Sequence, residues 1–230
     1  LTRRDMREWP KPPPGRPWRA HCPERDINSN PPWNLNVKLL LGEVEEAQST
    51  PGSPAIYTNI IEEMRPASSA CFGDLADFLM VNPYRTRTWG AYGNSAGLAG
   101  ARPWVDPRPI MAAPEAFTVL NKDYWKRDLM PDEFRCAVWL EIAEGSKGIS
   151  YYRSRGNREA GGYGYSFIPS IERTVARINL DLQLLKRFLR IGDTVGPMAT
   201  TENGFCKTIL CGDEAAFITL YDGARARTAP

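Results

Sequence analysis

Histidine is nearly absent from this 230-residue chain: His21 is the only one. A single imidazole excludes a histidine-rich metal site. It leaves a Ser-His-Asp or Cys-His nucleophile only if His21 itself serves. The five cysteines, Cys22, Cys71, Cys136, Cys206 and Cys211, include no Cys-x-x-Cys pair, which disfavours a structural zinc. Their odd number rules out a fully paired disulfide framework, and they read as small buried apolar residues. Cys206 and Cys211 flank a candidate turn and could pair, but the reading as buried apolar residues is preferred. Nothing approaches the ~18 consecutive apolar residues of a membrane span. No block of like charge breaks the balance of 29 basic and 27 acidic residues, so no nucleic-acid footprint is expected. No glycine-rich loop ends in Gly-Lys-Ser/Thr, and no nucleotide or other cofactor is implied. What is present is ordinary globular usage, 42% apolar and 24% charged. The chain opens on Leu1, not Met, and reads as a fragment.

Three regions follow from the pattern. Residues 1–33 are irregular, because Trp9 to Gly15 is proline-rich and cannot be helix. They hold at most the end of an earlier strand at 18–20. Residues 34–192 alternate helices with short apolar runs. Val37, Leu40, Leu41 and Val44 predict a helix over 34–48. Apolar runs at 55–60, 77–81, 110–113 and 148–152 predict strands that pair side by side in sequence order. Between the second and third, 85–106 holds Gly90, Gly93, Gly97, Gly100, Trp89 and Trp104 and reads as a long loop. Pro131, Asp132 and Glu133 open a helix that carries Phe134, Ala137, Val138, Glu141 and Ile142 on one side and stops at Gly145. Ser170 caps another, whose stripe of Ile171, Val175, Ile178, Leu182, Leu185 and Leu189 is expected to pack on the outside of the sheet. In residues 193–230 the period changes, and two runs around Gly212-Asp213-Glu214 predict a hairpin. A lone hairpin is marginal, so this β part reads as truncated.

Short, wholly apolar strands that alternate with helices predict a covered parallel sheet, that is, an α/β domain leading into an antiparallel β domain. In a parallel barrel the chemistry gathers at the carboxyl ends of the strands. Those ends supply Asn59, Glu62 and Glu63, then Asn82, Tyr84 and Arg85, then Glu115, then Tyr152, Arg153 and Arg155. Glu24 is the only acidic candidate from the N-terminal segment. Carboxylates, amides and aromatics on one rim suit a sugar, whose rings stack on aromatics and whose glycosidic bond is cleaved by two carboxyl groups. Trp89, Tyr92, Trp104, Tyr163 and Tyr165 are candidate platforms. The plainer reading of Glu115 is a rim carboxylate paired with Arg108 or Arg135.

The segment from Phe134 through Ala143-Glu144-Gly145-Ser146-Lys147-Gly148-Ile149 to Tyr152 resembles the last helix-strand step of clan A TIM-barrel glycoside hydrolases, the β-galactosidase-like group. Ala76 to Tyr84, including Asp77 and Asn82-Pro83-Tyr84, is similar to that group's Asp-Pro-Tyr strand. Arg108 to Phe117 resembles its lysine-proline strand. The resemblance spans about residues 54–222 and implies the second half of a (β/α)8 TIM barrel, followed by the start of an antiparallel β domain. It implies Glu115 as nucleophile, Glu24 as acid/base, and Asn59, Asn82, Tyr84, Arg85, Trp89, Tyr152 and Arg153 as substrate-binding residues. The substrate class is an oligosaccharide or polysaccharide, and the setting secreted or periplasmic. Two departures stand out: Asn82 replaces the usual Asp, and Glu24 lacks the Asn that precedes the family's acid/base. The competing reading is a glycan-binding or structural barrel relative without catalysis.

Overall fold

A computed structural model describes residues 45, 46, 49, 57–61, 77–82, 84, 86, 90–119, 129–151, 162–164, 168–201 and 204–221. Side chains at 57–61, 92, 118, 119, 162–164, 196–201, 204, 205 and 221 are outside the description. Of the helix expected over 34–48, Glu45 and Glu46 are helical; the rest of that span lies outside the described residues.

Three strands pair in parallel and in sequence order: β1 (Tyr57–Ile61), β2 (Phe78–Asn82) and β3 (Ile110–Ala112). Leu79, Met80 and Val81 are all buried, because both faces of the sheet are covered. The expected fourth strand is reduced to one parallel bridge, Ala112 to Ile149. It is held by Ala112 N–H to the Gly148 carbonyl (2.9 Å) and Ser150 N–H to the Ala112 carbonyl (2.8 Å).

The predicted loop at 85–106 is mostly a helix, α1 (Ala91–Val105). Its glycines lower intrinsic helix propensity, but tertiary packing overrides that penalty. Asn94, Leu98, Ala101 and Val105 are buried, and this spacing of four, three and four is one helical face. Leu98, Ala101 and Val105 cluster with Leu79, Val81, Ile110 and Ala112, so α1 is the crossover that covers β2 and β3.

Helix α2 (Pro131–Ala143) follows the expectation, with proline in the first turn and Glu133 Oε2 accepting the Met130 N–H at 3.3 Å. Phe134, Ala137, Val138, Leu140, Ile142 and Ala143 are buried. Gly145 ends it with φ of 91°, a left-handed conformation that other residues adopt at a cost. A Cβ on Gly145 would also displace the Arg102 guanidinium. That guanidinium donates to the Glu144 carbonyl at 2.7 Å and ties the ends of α1 and α2 together. Gly145→Ala is expected to cost about 2–4 kcal/mol, from left-handed strain plus the displaced charged donor. Urea unfolding checks it, and an unchanged midpoint would contradict the packing described.

Helix α3 (Pro169–Leu184) starts one residue before the expected cap: Ile168 is its N-cap and Pro169 its first residue, so Ser170 lies inside it. Proline at that position has its φ preset and no N–H to leave unbonded. Ile171, Val175 and Ile178 are buried; Leu182, Leu185 and Leu189 are only partly so. Contrary to the expectation, the stripe does not pack on the described parallel strands. It joins a second cluster with Phe134, Val138, Ile209 and Ile218, from α2 and the C-terminal sheet. Ile149 touches both clusters. After Leu185 the short helix α4 (Lys186–Ile191) stops at Gly192.

The C-terminal part is more than a hairpin. A further strand, β6 (Asp193–Thr201), pairs with β7 (Gly204–Cys211), which pairs with β8 (Glu214–Tyr221), all antiparallel. Gly212, φ 66°, is the first residue of the two-residue β7–β8 turn, where both type I′ and type II′ hairpins require a positive φ. Strand β6 carries no clear sequence signal, because Pro197 interrupts it. Val195 pairs with Thr208 and Ala199 with Cys206, so a bulge on an edge strand absorbs the proline. Cys206 and Cys211 share β7 and are free thiols, as is Cys136.

Polar contacts join this sheet to the α/β part. Lys207 pairs with Glu144 at 2.7 Å, and the Lys147 ammonium donates to the Gly192 carbonyl. Burial pulls Lys147 below its ordinary value; Asp193 pushes it back up and Arg102 lowers it further.

Candidate active site

Because β1–β3 are parallel, their carboxyl ends lie on one side. Asn82 is the last residue of β2, and the Tyr84 N–H donates to its carbonyl at 3.1 Å. The Ala113 N–H donates to the Val81 carbonyl at 2.8 Å, which holds the exit of β3 against the end of β2. Glu115 stands two residues further on. Phe117 begins β4 (Phe117–Val119), and its ring meets Tyr84 edge-on, with centroids 4.9 Å apart and planes at 83°. That contact pins the segment after β3 to the segment after β2. Strand β4 pairs antiparallel with β5 (Gly162–Gly164), placing Tyr163 opposite Thr118. The glycine-rich segment is therefore tied to the same rim.

The rim contains buried polar groups. Asn82 is 4% exposed, Thr86 1% and Glu115 0%. Such groups are retained inside a protein where they are hydrogen-bonded or serve a function. Thr86 was not anticipated; its position four residues past Asn82 was the only clue in the sequence.

The remaining candidates divide. Asn59 is the middle residue of β1, opposite Met80, and not past the strand's end as expected. The strand extends to Ile61 because Thr58, Ile60 and Ile61 are β-branched and favour it. Trp104 is exposed near the C-terminal end of α1, on the side where β3 begins, so it is no platform at this rim. Tyr92 lies in the first turn of α1. Glu24, Glu62, Glu63, Arg85, Trp89, Tyr152, Arg153, Arg155 and Tyr165 lie outside the described residues. Tyr151 is half-buried: its ring lies 6.0 Å from Phe134 and its hydroxyl donates to Asn179 Oδ1 at 3.1 Å. Of the two arginines in the plainer reading of Glu115, Arg135 pairs with Asp181 at 3.7 Å.

Away from the rim, a cleft of about 460 Å³ lies between α2 and β8, lined by Arg135, Cys136, Trp139, Phe217 and Leu220. Among the described residues no cluster of His, Cys, Asp and Glu is arranged to hold a metal ion, and no helix is long and apolar enough to cross a membrane. Comparison with protein-family models, with curated proteins and with solved structures finds no match.

Proposed function

We propose that the chain is part of a carbohydrate-active glycoside hydrolase that works with two carboxyl groups and retains anomeric configuration. What supports the reading is that Asn82 ends β2, that Tyr84 and Glu115 follow the carboxyl ends of the parallel strands β2 and β3, and that Tyr84 packs on Phe117, two residues past Glu115. Glu115 attacks the anomeric carbon as the bond to the leaving oxygen breaks. A second carboxyl, for which Glu24 is the candidate, gives that oxygen its proton. Water then attacks the glycosyl ester, its proton returns to the second carboxyl, and Glu115 is released. Retention requires the two groups about 5–5.5 Å apart. Asn82 and Tyr84 bind sugar hydroxyls, and aromatic residues carried by the rim segments stack on the ring.

One observation favours the second reading, a glycan-binding or structural barrel relative: Glu115 is fully buried, so a substrate reaches it only after the rim opens. Incubation with a panel of oligosaccharides separates the two. The hydrolase reading expects new reducing ends whose first anomer, followed by proton NMR, matches that of the substrate. Binding without cleavage across the panel would favour the second reading. Inverted product would rule out Glu115 as a nucleophile.

A further inference from the structure

We propose that Glu141 is a proton-operated latch between α1 and α2: protonated, it lets the helices close on each other, and ionised, it parts α1 from α2 and loosens the rim from which α1 departs. Glu141 is the one charged-type side chain among the fully buried residues of α2, at 0% exposed. Its Oε1 accepts a hydrogen bond from Asn94 Nδ2 at 3.1 Å, and Asn94 lies fully buried in the first turn of α1. Its Oε2 has no hydrogen-bond partner among the described residues. Among the described residues one amide donor thus serves two carboxyl oxygens, which is too little for a buried anion.

Among the described residues no cation is placed to neutralise it. Arg102, the only charged residue of α1, donates to the Glu144 carbonyl. Beyond α2, Glu144 is taken by Lys207 of β7, and Lys147 donates to the Gly192 carbonyl. On α3, Asp181 pairs with Arg135 of α2, and Glu172, Arg173 and Arg177 are exposed. Glu214 of β8 pairs with Arg187 at 2.6 Å. Burial accordingly holds the Glu141 carboxyl well above its ordinary value of 4.5, with the Asn94 hydrogen bond pulling the other way.

The direction of the pH effect follows. Closed, Glu141 keeps its proton; open to water, it returns to its ordinary value near 4.5. Its contribution to the closed state is complete below that value and is lost as pH rises through the raised one. Between the two, opening releases one proton, so the opening constant grows tenfold per pH unit. Opening frees α1, whose N-terminal end follows the Asn82-to-Thr86 rim. The latch stands whether or not Glu115 attacks a sugar.

Hydrogen exchange of the whole chain from about pH 5 to about pH 9, corrected for intrinsic exchange and compared with Glu141→Gln, tests this. The latch predicts that amides from Leu98 to Val105 lose protection in the parent, relative to the variant, by up to tenfold per pH unit, while β7 and β8 do not diverge. Equal pH trends in the two proteins, or equal divergence in β7 and β8, would overturn it. Glu141→Met removes the same titration and replaces Glu141→Gln should that variant not fold. If neither folds, the parent's own α1 and β7–β8 trends decide, and parallel trends refute the latch.

Discussion

Val175→Asp is expected to abolish soluble folding. Val175 is 5% exposed on α3, between Ile171 and Ile178, which are fully buried. The three belong to the cluster that joins α2 to Ile209 and Ile218, so a carboxylate at 175 enters the seam between the α/β part and the C-terminal sheet. An unpaired buried charge costs several kcal/mol, a large share of the ~5–15 kcal/mol that holds a domain folded. Leu184→Asp is the control, with the same charge on the same helix at a residue 84% exposed. It should remain soluble with an unchanged melting temperature. Soluble yield and circular-dichroism melts of both variants decide. A Val175→Asp protein that melts like its parent would mean that α3 does not pack as described.

Glu115→Gln is expected to keep the fold and lose about 10³-fold or more of any glycosidase rate, since it removes the attacking oxygen and keeps the shape of the side chain. The fold is expected to survive because an amide fills the same fully buried volume. Rates on an activated aryl glycoside, alongside a thermal melt, separate lost chemistry from lost structure. Full activity in a folded variant would eliminate Glu115 as nucleophile.

Elements with strong local signals were legible in the sequence. The stripe of α3, the proline-acid start of α2 and the parallel runs at β1 to β3 all declare themselves through periodicity or β-branched content. Helix α1 did not, because Gly93, Gly97, Gly100 and Pro103 are poor helix formers. Its stability comes from contacts with β2, β3 and α2 that appear only once the chain has folded. Strand β6 was hidden in the same way by Pro197, which only a bulge makes tolerable. For the site, strand direction sufficed to gather Asn82, Tyr84 and Glu115 at one end. It could not foresee how deeply Glu115 is covered, since burial is set by the packing of the folded chain. Glu141 was legible only as a member of a core face. Its isolation from the cations of the described residues is a property of the packed helices.

The most direct test of the central claim is covalent trapping with a 2-deoxy-2-fluoro glycoside carrying an activated leaving group. The fluorine slows both steps, and the activated leaving group lets the glycosyl-enzyme ester accumulate. Mass spectrometry of the intact chain, followed by peptide mapping, should show one added sugar, carried by Glu115 and absent from Glu115→Gln. A sugar mapped to a different carboxylate, or cleavage of the parent glycoside with no trapped adduct, would contradict the assignment of Glu115 as the nucleophile.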